Sequence, residues 1–310
     1  MTNGKAGAAA AGPKKTLWTR IWEYRELYLL LIIPVVLTFI YKYIPMYGIQ
    51  IAFRDYKASR GILGSEWVGF NWFNRFFNSP NAGRMIKNTL LLSLYALLWS
   101  FPIPIILSLC INQLRFKKWK RTVQTILYAP HFISTMVVCG MIRIFLSPSG
   151  GLINLLLGTS IDFLTESSAF RTIYIVSGIW QDAGWGCIIY LATLSSVDSA
   201  LYEAAKVDGA SVFQRIMNID IPALLPMAIL NLIMSAGSLM NVGFEKAWLL
   251  QTDLNKATSD VIAVYVYQLG IENAKYSLST AVGLFNTAVN LVLLFIVNYI
   301  SKKTSEVDFV

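Results

Sequence analysis

The stretch LYEAAKVDGASVFQRIMNIDIP, Leu201–Pro222, is a charged segment set between two long apolar runs, and its signals read helix, turn, helix. Asp198 caps a first helix from Ser199 to Val207, because a side-chain oxygen there accepts from the free N–H groups of the first turn. Gly209 ends that helix, since glycine takes the left-handed backbone conformation at little cost. Ser211 and Gln214 then make a capping box that starts a second helix at once. Ile219, Ile221 and Pro222 lead into the next apolar run, with proline at a place a helix start tolerates. A link between two runs needs only a few residues, so a stiff elbow predicts a surface on which something docks. The competing reading is an amphipathic hairpin on lipid headgroups, or one that braces a bundle. A headgroup helix wants a basic polar face, whereas here Glu203, Asp208 and Asp220 face only Lys206 and Arg215.

Outward from the elbow the chain is 55% hydrophobic and 14% charged over 310 residues, with a mean hydropathy of +0.55. These values assign it to a membrane rather than to water. A helix that crosses the hydrocarbon takes about 20 apolar residues, and six segments approach that length: Leu27–Tyr47, Asn88–Ile111, Val123–Leu146, Thr172–Leu194, Pro222–Val242 and Leu278–Ile300. The net charge of +9 raises the question of a nucleic-acid partner. Its basic residues cluster at the ends of apolar runs, which is a membrane pattern and not a nucleic-acid one. The RFKKWKR run from Arg115 is a short-loop signal that orients helices, so both termini are expected in the cytoplasm, and the elbow with them. Cys110, Cys139 and Cys187 sit inside apolar segments without metal-ligand spacing, and read as small buried hydrophobes.

The expected organisation is a basic tail and interfacial helix over residues 1–26, a transmembrane domain over 27–300 with the insert at 198–221, and a cytoplasmic tail over 301–310. Met1–Lys15 has too little apolar content to pack and is expected to be disordered. Within it GAAAAGPK is not a phosphate loop, because Pro13 stands where the lysine belongs and no strand precedes it. Leu27 opens a full-length span rather than the short core of a cleaved signal. Gly48–Lys87, long and aromatic, suits a lid, a contact with an outside partner, or plain interfacial anchoring.

Polar side chains at mid-membrane are costly, and each is a functional candidate beside a packing alternative. Asp182 lies about 15 Å into the fourth segment at 1.5 Å per residue, accompanied by Trp180, Gln181 and Trp185. Aromatic faces beside carboxylate and amide groups suit a sugar; a hydrogen bond to a neighbouring helix is the alternative use. Asn231 and Ser235 share one helix face, as do Asn286 and Asn290, and both pairs fit either a substrate path or interhelical bonding. His131 has three uses open to it, in proton relay, sugar binding or packing. Arg143 and Lys42, near span ends, snorkel.

At this point the residues resemble a family. Glu203, Ala204 and Ala205, then Gly209, then nine residues to Ile219, and Pro222, resemble the EAA motif of ABC-importer permeases, E-A-A-x3-G-x9-I-x-L-P. Ile221 replaces the usual leucine, a volume-conserving change. Asp208 and Ala210 complete the DGA form typical of carbohydrate permeases. IAFRDYK, YAPHFIS, IWQDAGW and NVGFEKAWLLQ follow the order found in oligosaccharide permeases of the LplB type.

The resemblance implies the all-α, six-helix type I ABC importer permease fold, with a cytoplasmic coupling helix between helices 4 and 5. It implies a bacterial cell-membrane subunit that does no chemistry of its own. Its partners would be a second, related permease in a heterodimer, two ATPase subunits carrying ATP and Mg, an extracellular sugar-binding lipoprotein, an oligosaccharide and membrane lipids. No cofactor is expected on this chain, which lacks a Walker A sequence. The alternative class is a gradient-driven transporter or channel that works alone; such proteins often show internal repeats, and the two halves here show no clear duplication. A membrane enzyme is disfavoured, because no paired carboxylates, metal cluster or activated nucleophile recurs at one depth.

Overall fold

The computed structural model describes residues 17–305, and the chain divides into two units, Met1–Gln50 and Ile51–Val310. The expected disorder of Met1–Lys15 and the end of the C-terminal tail lie outside the described residues. In the first unit, α1 (Leu17–Glu23) runs into α2 (Arg25–Thr38). A π-helical turn, Phe39–Tyr43, and a 3-10 stretch, Ile44–Phe53, extend α2 into an apolar helical run of 29 residues.

The second unit opens with a small hairpin, β1 (Arg54–Asp55) against β2 (Glu66–Trp67), antiparallel with Arg54 opposite Trp67. Phe53 stacks on Trp67, and Trp72 donates its indole N–H to the Arg54 carbonyl at 3.0 Å. A short helix, α3 (Asn71–Phe77), buries Phe76. The aromatic loop is therefore folded, and the Tyr56 amide donates to Ser277 Oγ at 2.9 Å.

Two helices follow end to end, α4 (Ala82–Ser100) and α5 (Pro102–Asn112), the second opening on a proline that suits a helix start. Next come α6 (Lys117–Tyr128), α7 (Thr135–Phe145) and α8 (Leu152–Leu157). The expected third span is not one helix, because the α6 segment, extended to Phe132, meets α7 at 96°. The physical reason is local: Pro130 lacks an amide to donate, Ile133 and Ser134 take extended backbone, and the Ser134 side chain caps α7 by accepting from the Val137 amide.

The long helix α9 (Ser167–Ser195) leads to α10 (Ser199–Val207) and α11 (Val212–Arg215), and a π-helical turn, Ile216–Asp220, joins these to α12 (Ile221–Ala236). The chain closes with α13 (Phe244–Leu250), α14 (Lys256–Ser259), α15 (Ile262–Tyr267) and α16 (Tyr276–Ser305).

Among the described residues four helices are long and apolar enough to cross a membrane, or five where the bent pair is counted as one broken span. Although α9 has 29 residues, it is not one of these. Polar side chains dilute its hydropathy, and its buried side chains organise the packing: Phe170 and Ile175 pack with α4, α7 and α13, while Cys187, Tyr190, Leu191 and Leu194 pack with α5, α6 and α12. Gly184 is what lets α6 approach, since a β-carbon there would stand 1.9 Å from the Leu127 carbonyl oxygen. Of the cysteines, Cys139 and Cys187 are buried as expected, but Cys110 is exposed on α5.

Candidate functional site

The elbow forms as its local signals dictate. The Asp198 carboxylate accepts from the Ala200 amide at 2.9 Å. Gly209 adopts φ +75°, and the Ala210 amide reaches back to the Ala205 carbonyl at 2.8 Å, closing α10. Both halves of the capping box are present: the Ser211 amide donates to Gln214 Oε1 at 2.7 Å, and the Gln214 amide donates to Ser211 Oγ at 3.3 Å. Arg215 Nη1 bonds the Ala210 carbonyl at 2.7 Å and so ties the second helix to the turn.

Sequence reasoning missed how the elbow is fastened. Asp220, fully buried at the head of α12, accepts from Gln113 Nε2 at 2.8 Å and from the Tyr202 hydroxyl. Gln113 follows α5, and Tyr202 is on α10, so one carboxylate joins three elements. Burial first, and then the bond and charge of Asp220, push the Tyr202 phenol up to about 12 from 10.0, because a phenolate is unwelcome there. The remaining elbow surface is open: Glu203, Ala204, Asp208 and Gly209 are exposed, Ala205, Ala210 and Ile219 half-buried, and Pro222 exposed. Large apolar side chains are exposed beside them, Val207 at 88% and Phe213 at 70%.

A second constellation lies along α9. His131 Nδ1 and Asp182 Oδ1 are 2.9 Å apart, and the Trp185 ring stacks on the imidazole at 4.5 Å between centroids. Asp182 also lines a cavity of about 560 Å3 with Tyr174, Gln181, Glu245 and Lys246. A neighbouring cavity of about 340 Å3 holds Asn231, Ser235 and Asn241, and Tyr174 and Gly186 line both. The Gln181 amide is committed to the Ile133 carbonyl at 2.9 Å, where it braces the bend before α7. Asn231 donates to the Tyr190 hydroxyl at 3.1 Å.

Trp180 stands apart. It lines an apolar cavity with Val138, Ile142 and Val176 on another side of α9, two residues from Asp182 and so turned well away on a helix. Asn286 and Asn290 both donate to Asn241 Oδ1, at 3.2 and 3.1 Å, and Asn290 accepts from the Met240 amide, so this pair fastens α16 to the end of α12. Arg143 bonds the Leu249 carbonyl, holding α7 to α13.

Residues 86–306 match the family model described as binding-protein-dependent transport system inner membrane component. The chain is 42% identical over 307 residues to Protein LplB of Bacillus subtilis, covering 98% of this chain and 94% of that protein. It is 40% identical over 297 residues to the polygalacturonan/rhamnogalacturonan transport system permease protein YteP of the same organism, covering 94% and 92%. Among solved structures it is similar to a chain of a bacterial ABC transporter involved in the import of the acidic polysaccharide alginate. The two are 40% identical with a TM-score of 0.85, over 94% of this chain and 100% of that one. A bacterial alginate ABC transporter solved in complex with an alginate pentasaccharide-bound periplasmic protein matches at 40% identity and a TM-score of 0.86, over 95% of this chain and 100% of that one.

Proposed function

The chain belongs to the family of binding-protein-dependent transport inner-membrane components, and from that premise we propose that it is one permease of an ATP-driven importer whose cargo is a uronate-bearing oligosaccharide. It is a multi-pass membrane protein and a sugar permease by kinship. The acidic cargo is suggested by the relatives, since polygalacturonan and alginate are both chains of uronic acids.

In this reading α9 and the bent α6–α7 pair complete six spans, and both termini and the elbow face the cytoplasm. An extracellular binding protein delivers the sugar, and a second, related permease faces the cavities along α9. Two separate ATPase subunits carry the ATP and Mg, while this chain binds no cofactor. The observation that supports docking is the elbow itself. Its backbone is tied internally at both helix starts and at the turn, yet it leaves Val207 and Phe213 uncovered. Exposed apolar side chains on a rigid frame are what a partner's groove requires. ATPase closure would then push the elbow, and Asp220 would pass the push to α12 and to the end of α5.

Family membership favours this reading over a gradient-driven transporter that works alone. The test is uptake by cells in which the partner ATPase is deleted while ion gradients are intact. Uptake should stop; accumulation by this protein alone in vesicles would overturn the reading.

A further inference from the structure

Resting on the import reading above, we propose that Lys246 is the residue that recognises a carboxylate of the passing cargo. Helix α13, with Gly243 at its N-cap, turns Lys246 inward against α9, where the residue is only 8% exposed. Its ammonium lies 5.2 Å from the centre of the Tyr174 ring, and 3.4 Å from where a β-carbon on Gly178 would stand. Lys246 belongs to none of the ion pairs found among the described residues, and no oxygen there accepts a hydrogen bond from it. A contact with one aromatic face does not offset the desolvation of an ammonium. Such a charge is a functional group by default when it lines an intramembrane cavity.

The other charges lining that cavity define what it reads. Asp182 is already bonded to His131, and Glu245 beside Lys246 is exposed. One buried donor cation beside two acceptor carboxylates complements a molecule with a single negative group set among many hydroxyl donors. A uronate unit is such a molecule: its carboxylate accepts from Lys246 Nζ while its ring hydroxyls donate to Asp182 and Glu245. A neutral sugar satisfies the acceptors and leaves the ammonium without its charge-assisted bond.

The test compares uptake of a short oligogalacturonate with uptake of the same chain after its carboxyls are reduced to alcohols. The complete importer in proteoliposomes is used, with its binding protein in excess. Wild type should favour the acid chain. Lys246→Met, checked for normal abundance in the membrane, should lower the acid-to-reduced uptake ratio at least about tenfold, and Lys246→Arg should keep most of it, because the loss of one charge-assisted bond is of this size. An unchanged ratio in Lys246→Met, or a wild-type preference for the reduced chain, would overturn the assignment and leave the import reading standing. Uptake of both chains that does not depend on ATP would defeat the import reading first, and this inference with it.

Discussion

Tyr202→Phe isolates the fastening of the elbow. The phenyl ring keeps the shape of the side chain, and the only loss is the hydroxyl that donates to buried Asp220. A hydrogen bond to a charged group contributes about 1.5–3 kcal/mol. Gln113 still donates to the same carboxylate, so Asp220 keeps a partner once the hydroxyl is gone, and the lower end, ~1.5 kcal/mol, applies. At about 1.4 kcal/mol per factor of ten, the hold of α10 on the head of α12 weakens about tenfold. With that partner kept, the carboxylate is not stranded and the protein should fold. Amide hydrogen exchange should therefore quicken about tenfold in α10 and stay unchanged in α9, while the reconstituted importer hydrolyses ATP but moves less sugar per ATP. Unchanged α10 exchange with a normal sugar-to-ATP ratio would refute the fastening.

Further outcomes follow from the same geometry. The Tyr202 phenol, raised to about 12, gives stability that is complete below pH 10 and is lost as the pH rises towards 12, because the unfolded chain releases this proton first. Asp220→Asn should move that titration back towards the ordinary phenol value, as read by ultraviolet difference spectra against Tyr202→Phe. Gly209→Val places a β-branched residue at φ +75°, at a cost of about 1–2 kcal/mol; uptake should fall while membrane abundance stays normal, and normal uptake would count heavily against docking at the elbow. Asp182→Asn removes the charge that faces His131, and should change the apparent sugar affinity; if only expression falls, Asp182 serves packing. Gly184→Ala sets a methyl against the Leu127 carbonyl, and overpacking of this kind costs about 1–3 kcal/mol or more, which should appear as a lower melting temperature in detergent.

The elbow was legible residue by residue, because each of its signals acts over a few positions. Asp198 reaches two residues ahead, Ser211 and Gln214 three, and Gly209 answers to its own backbone angle. Membrane residence was legible for a similar reason, since hydropathy sums over one helix. The third span was not, because length and apolar content say nothing of the direction in which α7 leaves Pro130. Nor did spacing tell Trp180, which faces an apolar side of α9, from Asp182, which faces the polar one.

What the sequence alone determined about this protein is its solvent, its family and its elbow, all of them sums or patterns along a single stretch of chain. What only the tertiary structure decided is which distant groups meet: Gln113 and Asp220 across 107 positions, His131 and Asp182 across 51, and Lys246 over the Tyr174 ring. Those meetings depend on how α5, α6 and α13 pack against α9 and α12, and close packing is a property of surfaces brought together in space, which no single stretch of chain carries by itself.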